Sequence, residues 1–179
     1  VWGAALPYPW VRAGGGRSRP PYSLPVWQAV LTPAAMAFAD VTAVLAPSGL
    51  CLQLGADGSP TPGSYWGGPE DGLVGACIHA RNDTPVHSLL HEAAHLIVLE
   101  PGRRALVHTD ATDSIEEEDA VCVLQSLLGD MLPGVGAARV MADMAAWGYT
   151  FRLCSTRAYV ENDSRTAWHW SRARGTGDD

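Results

Sequence analysis

Residues 84–102, TPVHSLLHEAAHLIVLEPG, set two histidines four positions apart with a glutamate directly after the first. Thr84 and Pro85 read as an N-cap and first helical residue and Pro101-Gly102 as a stop, so the stretch between them is expected to be a helix. At about 100° per residue, His91, Glu92 and His95 share a sector of roughly 100°, with His87 and Ser88 beside it. Val86, Leu89, Leu90, Ala93, Ala94, Leu96 and Ile97 take the other side. Such a helix is either an ordinary amphipathic surface element or a metal-binding one. The second reading has specific chemistry: imidazoles at i and i+4 can aim nitrogens at one ion about 2.0–2.1 Å away, while the intervening Glu92 reaches water beside the ion.

Two histidines leave a catalytic zinc one protein ligand short. The metzincin pattern H-E-x-x-H-x-x-G-x-x-H is excluded, because Val98 and Pro101 stand where it requires Gly and His. The remaining downstream candidates are His108, Asp110, Asp113 and the run Glu116, Glu117, Glu118 and Asp119. Ser114 reads as the N-cap of a second helix through IEEEDAVCVLQSLLGDML, whose apolar stripe is Ala120, Val121, Leu124, Leu127, Leu128 and Met131. Glu117 projects onto the centre of that stripe, with Leu124 and Leu128 each about 20° to either side. A carboxylate so placed needs a partner, because burying it unpaired costs several kcal/mol. Two partners fit: a metal, or the N-cap amide of a Ser114-x-x-Glu117 capping box, although a cap is worth only about 1 kcal/mol. Glu118 is the alternative third ligand. Glu116, Glu118 and Asp119 all read first as solvated acids favoured at a helix start, Glu118 being a ligand only as the fallback. His87, one turn before His91, reads as a supporting residue rather than a fourth ligand that would close the site, and His108 as a weaker ligand or a substrate contact. No metal role is expected of His79 or His169.

Outward from these helices the chain is ordinary for a domain of 179 residues. Its composition, 47% hydrophobic and 17% charged, is globular rather than disordered. A formal charge of −7 argues against nucleic acid as the main partner, and with arginine supplying all 12 basic residues lysine chemistry is excluded. Residues 1–25, with five prolines and the run GGG, read as an extended N-terminal arm, and residues 26–179 as a single domain. A helix from Pro33, a strand over LCLQL (50–54), a long glycine- and proline-rich loop and a strand over LVGACIHA (73–80) precede the motif. After the second helix come a third over 134–148, a strand over YTFRL and a last helix over 163–174. The pattern is α+β, with a mixed or antiparallel sheet packed on the H-E-x-x-H helix and the following Glu-bearing helix. Cys51, Cys77, Cys122 and Cys154 form no metal or redox spacing and are expected to be reduced core residues. Gln28, Pro33 and Asp40 interrupt the apolar stretch 24–46, against a membrane span, and the absence of a basic start ahead of an apolar run points to the cytoplasm.

His91, Glu92 and His95 with a glutamate 22 residues beyond, in the form Glu117-x-x-Ala120 on a following helix, resemble the gluzincins, zinc metallopeptidases with H-E-x-x-H and a distant glutamate. The chain is also similar to proteobacterial H-E-x-x-H proteins. The first resemblance implies a small zincin-like fold and one Zn²⁺ per chain held by His91, His95 and Glu117. It further implies Glu92 as general base in peptide-bond hydrolysis and a peptide or protein substrate lying along the strand Leu73–His79. Tyr159 is the candidate for stabilising the transition state, with His108 and His169 behind it. A zinc module without hydrolysis is the alternative function. One departure stands out: Val121 occupies the position where many gluzincins carry an Asp or Asn that orients a histidine, so that support must come from elsewhere.

Overall fold

A computed structural model describes residues 30–33, 38–64, 69–112 and 114–147, together with 157, 160, 161 and 165. The expected arm, the strand over YTFRL, Cys154, Tyr159 and His169 lie outside the described residues, as does the expected last helix except for Arg165, which is helical. Helix α1 is Phe38–Leu45, continued by a 3-10 turn that Gly49 ends with φ 68°. Strand β1 is Cys51–Leu54, β2 Gly72–Val74 and β3 Cys77–Ala80. Helix α2, Val86–Val98, carries the histidines, and a short helical turn α3, Pro101–Arg104, follows it. Helices α4, Ile115–Met131, and α5, Ala137–Trp147, complete the described elements.

The fold class is α+β with a small mixed sheet in the order β1-β3-β2, where β1 runs parallel and β2 antiparallel to β3. The single strand expected over 73–80 is instead a hairpin. Gly75, at φ 60°, makes the turn with Ala76, a conformation that costs a residue without a Cβ nothing. The consequence for a substrate edge is direct. β3 becomes the central strand, and the exposed side of β2 already meets the next segment, with Gly75 N donating to Val107 O and Thr109 N to Leu73 O. The strand Leu73–His79 is therefore not a free edge.

Parallel pairing sets Cys51 opposite Cys77, and the two form a disulfide. They lie at the sheet surface, exposed and half-buried, so among the described cysteines the expectation of reduced core thiols holds only for Cys122, which is free and buried. The helix start also shifts by one residue. Thr84 spends its hydroxyl accepting from Arg81 N within a turn, Pro85 occupies the N-cap without a side-chain bond, and the Val86 amide is met by Leu31 O at 2.8 Å.

The core centres on α2. Leu89, Leu90, Ala93, Ala94 and Leu96 are fully buried among Leu73 and Ile78 of the sheet, Ala120 to Val123 and Leu128 of α4, and Val140, Met144 and Trp147 of α5. Its broadest contact is with α4. That contact covers the histidine side: His87, His91 and His95 are 1%, 8% and 4% exposed. The motif is thus no solvated surface face. No helix among the described residues is long and apolar enough to cross a membrane.

Candidate metal centre

His91 and His95, one turn apart on α2, turn their rings edge to face with centroids 4.7 Å apart. Their Nε2 atoms lie 3.1 Å from one another. From α4, Glu118 brings Oε2 to 3.5 Å from His91 Nε2 and Oε1 to 3.3 Å from His95 Nε2. Among the described residues these three alone form a group able to hold a metal ion. The spacings test the fit. Four ligands at 2.0–2.1 Å around a tetrahedral zinc are about 3.3 Å from one another; the two ring nitrogens are near that spacing, and Glu118 meets it with one carboxylate oxygen toward each ring.

The acid brought to the two histidines is Glu118, the alternative in the sequence reading, while Glu117 lies outside this group. Glu117 is 5% exposed, as its place on the apolar stripe requires, but its Oε2 faces Arg103 Nη1 of α3 at 3.6 Å. Only half of the capping box forms. Ser114 Oγ accepts from Glu117 N at 3.3 Å, whereas the Ser114 amide donates to Thr112 Oγ1 and the Glu117 side chain does not fold back to it. The physical reason is that the stripe was drawn from apolar residues, while the side of α4 against α2 includes polar ones. Gln125 is fully buried and Ser126 nearly so, but Met131 is 59% exposed and Leu124 and Leu127 only half-buried. Glu118 and Gln125, seven residues and two turns apart, share the side that meets His91.

Gln125 supplies the support missing at Val121. Its Nε2 donates to the His87 carbonyl, which can only accept, and this leaves Oε1 facing His91 Nδ1 at 3.2 Å. An oxygen there can only accept, so Nδ1 carries the proton and the Nε2 lone pair points toward His95 and Glu118. A polar residue inside VCVLQSLL was the available signal for it.

The electrostatics follow from burial and from these neighbours. Burial, then His95, lowers the pKa of His91 to about 4. Burial alone would lower His95 too, but the Glu118 charge and hydrogen bond outweigh it, with Glu92 and Glu117 adding, and raise it to about 9. Burial would raise Glu118, yet His95 and then His91 hold it down at about 2. One proton thus sits between the histidines and the carboxylate at neutral pH, on a ring nitrogen that a metal would need. Glu92, half-buried beside this group, is pushed up by burial and then by Asp71. Asp71, at the entry to β2, is buried, takes a hydrogen bond from Ser88 Oγ and is itself raised by burial. The sequence reading did not single out Asp71, since an aspartate in a Gly- and Pro-rich loop reads as solvated.

The remaining candidates lie apart from the triad. His87 is buried edge-on to Trp147, with its pKa lowered by burial and then by His91 to about 3, a neutral core histidine. His108 is exposed, pairs with Val74 in an isolated bridge and has its Nδ1 3.0 Å from Thr109 Oγ1. His79 is half-buried on β3, and Glu116 is an exposed first-turn acid bonded by Ser114 Oγ. Comparison with protein-family models, with characterised proteins and with solved structures finds no significant match to the chain.

Proposed function

We propose that this chain is a zinc-dependent peptide hydrolase of small zincin-like, gluzincin type, with His91, His95 and Glu118 as ligands and Glu92 as general base. The observation that carries the reading is the triad: three ligand-type side chains from two helices, with donor atoms within 4.8 Å of one another and the His91 tautomer set by Gln125. Zinc in that position would supply Lewis acidity, acidifying water and polarising a carbonyl oxygen. Glu92, next to His91 on α2, takes a proton from the attacking water on its carboxylate and returns it to the leaving amine nitrogen. Burial and the charge of Asp71 raise Glu92 and so strengthen it as a base. The Cys51–Cys77 disulfide favours an oxidising compartment over the cytoplasm for this activity.

Metal analysis by mass spectrometry on purified protein tests the reading. Wild type should carry about one zinc per chain and Glu118→Ala little. Digestion of a peptide library should then proceed with wild type and stop with Glu92→Gln, which keeps its zinc. Zinc without turnover in wild type would leave a non-hydrolytic zinc protein. Absence of zinc in both proteins would remove the metal altogether.

A further inference from the structure

Two buried atoms, one on a triad histidine and one on the residue before Glu118, have no hydrogen-bond partner: His95 Nδ1 and Glu117 Oε1. Buried polar atoms are almost always satisfied, so each calls for an explanation. Their chemistry is complementary. Once the His95 Nε2 lone pair is committed to a metal, Nδ1 of the neutral ring must carry the hydrogen and can only donate, and a carboxylate oxygen can only accept.

They also belong to one neighbourhood. Glu117 directly precedes Glu118 on α4, is buried, and its charge is felt at the His95 ring. The other Glu117 oxygen is only loosely engaged, 3.6 Å from an Arg103 side chain that is half exposed. His91, in contrast, already has its Nδ1 matched by Gln125.

We propose that Glu117 is the positioning residue for His95, its Oε1 accepting the Nδ1–H when metal is bound, as Gln125 does for His91. The inference rests on the metal reading above. On this view the pair Glu117-Glu118 divides its work by helix geometry. Successive residues on α4 point about 100° apart, so Glu118 reaches the metal-facing nitrogen of His95 and Glu117 the nitrogen behind it. The acid that the apolar projection picked out as needing a partner then finds one in a ligand rather than in the ion.

The experiment measures zinc affinity by chelator competition, together with the ring N–H signal of His95 in zinc-loaded, 15N-labelled protein. Losing a hydrogen bond behind a metal-bound histidine weakens binding about 10- to 100-fold, and Glu117→Ala should do so while its zinc-free melting temperature stays near wild type. Glu117→Gln keeps an accepting oxygen, so its affinity should stay within about threefold of wild type. The wild-type Nδ1–H should be a slowly exchanging downfield signal that shifts upfield in Glu117→Gln, since a neutral amide is the weaker acceptor. Arg103→Ala should leave affinity and signal intact. Unchanged affinity in Glu117→Ala, an unmoved signal in Glu117→Gln, or a loss reproduced by Arg103→Ala would each overturn the proposal. Failure of the metal reading is distinguishable, because wild type would then bind no zinc and Glu118→Ala would change nothing.

Discussion

Replacing Gln125 separates what holds the two helices together from what orients the site. The side chain is fully buried and makes two bonds, from Nε2 to the His87 carbonyl and from Oε1 to His91 Nδ1 at 3.2 Å. Gln125→Leu keeps similar bulk but leaves a buried carbonyl and a buried ring N–H unmatched. Each such group costs about 1–3 kcal/mol, hence about 2–6 kcal/mol in all against a typical stability of about 5–15 kcal/mol. The same change frees His91 to place its hydrogen on Nε2, where it blocks the ligand position, and zinc affinity should fall about 10- to 100-fold. Gln125→Glu divides the two effects. A carboxylate still accepts from His91 but cannot donate to the His87 carbonyl, so it should lose stability and retain most of the zinc affinity. Urea unfolding of the zinc-free proteins and chelator competition on the folded ones measure the two quantities separately. A Gln125→Leu protein with wild-type stability and zinc affinity would refute the argument that this amide fixes the tautomer.

The raised pKa of His95, about 9, predicts a pH dependence: zinc must displace its proton, so affinity should rise about tenfold per pH unit from pH 6 to 8, and calorimetry in two buffers should show at least one proton released. In the zinc-free protein the sign is reversed, because a histidine raised above 6.5 stabilises the fold fully below that value and loses this contribution as pH rises through about 9. Gly129→Ala would gain about 1 kcal/mol in helix propensity, but its Cβ would stand 2.3 Å from Val140 Cγ2 and 3.0 Å from Val140 Cβ; thermal unfolding should show a net loss of about 1–2 kcal/mol, recovered in part by adding Val140→Ala. Replacing Cys51 and Cys77 by serine should lower stability by about 3 kcal/mol, the entropy of a closed loop whose ends are 26 residues apart, and leave zinc content unchanged.

Periodicity was enough to find α2, α4 and α5 and to bring the two histidines onto one side of α2, because i,i+4 spacing and the caps around it are local properties. The disulfide was not local. Cys51 and Cys77 are joined because parallel pairing of β1 with β3 sets them opposite one another, and pairing register is a property of the whole sheet. The hairpin at Gly75 was missed for a related reason: LVGACIHA reads as one apolar run unless the glycine is given its positive φ. Which of Glu117 and Glu118 meets the histidines is the most instructive difference. Hydrophobic projection assumes that the buried side of a helix is its apolar side, and on α4 that assumption breaks at Gln125 and Ser126, which are more buried than Leu124 and Leu127. A buried glutamine inside an apolar helix must have both ends of its amide matched, so its position marks where the neighbouring helix offers a donor and an acceptor. Counting two turns back from Gln125 along that side arrives at Glu118 and passes Glu117 by. Polar residues within an apolar stripe are therefore better guides to a buried site than the centre of the stripe itself.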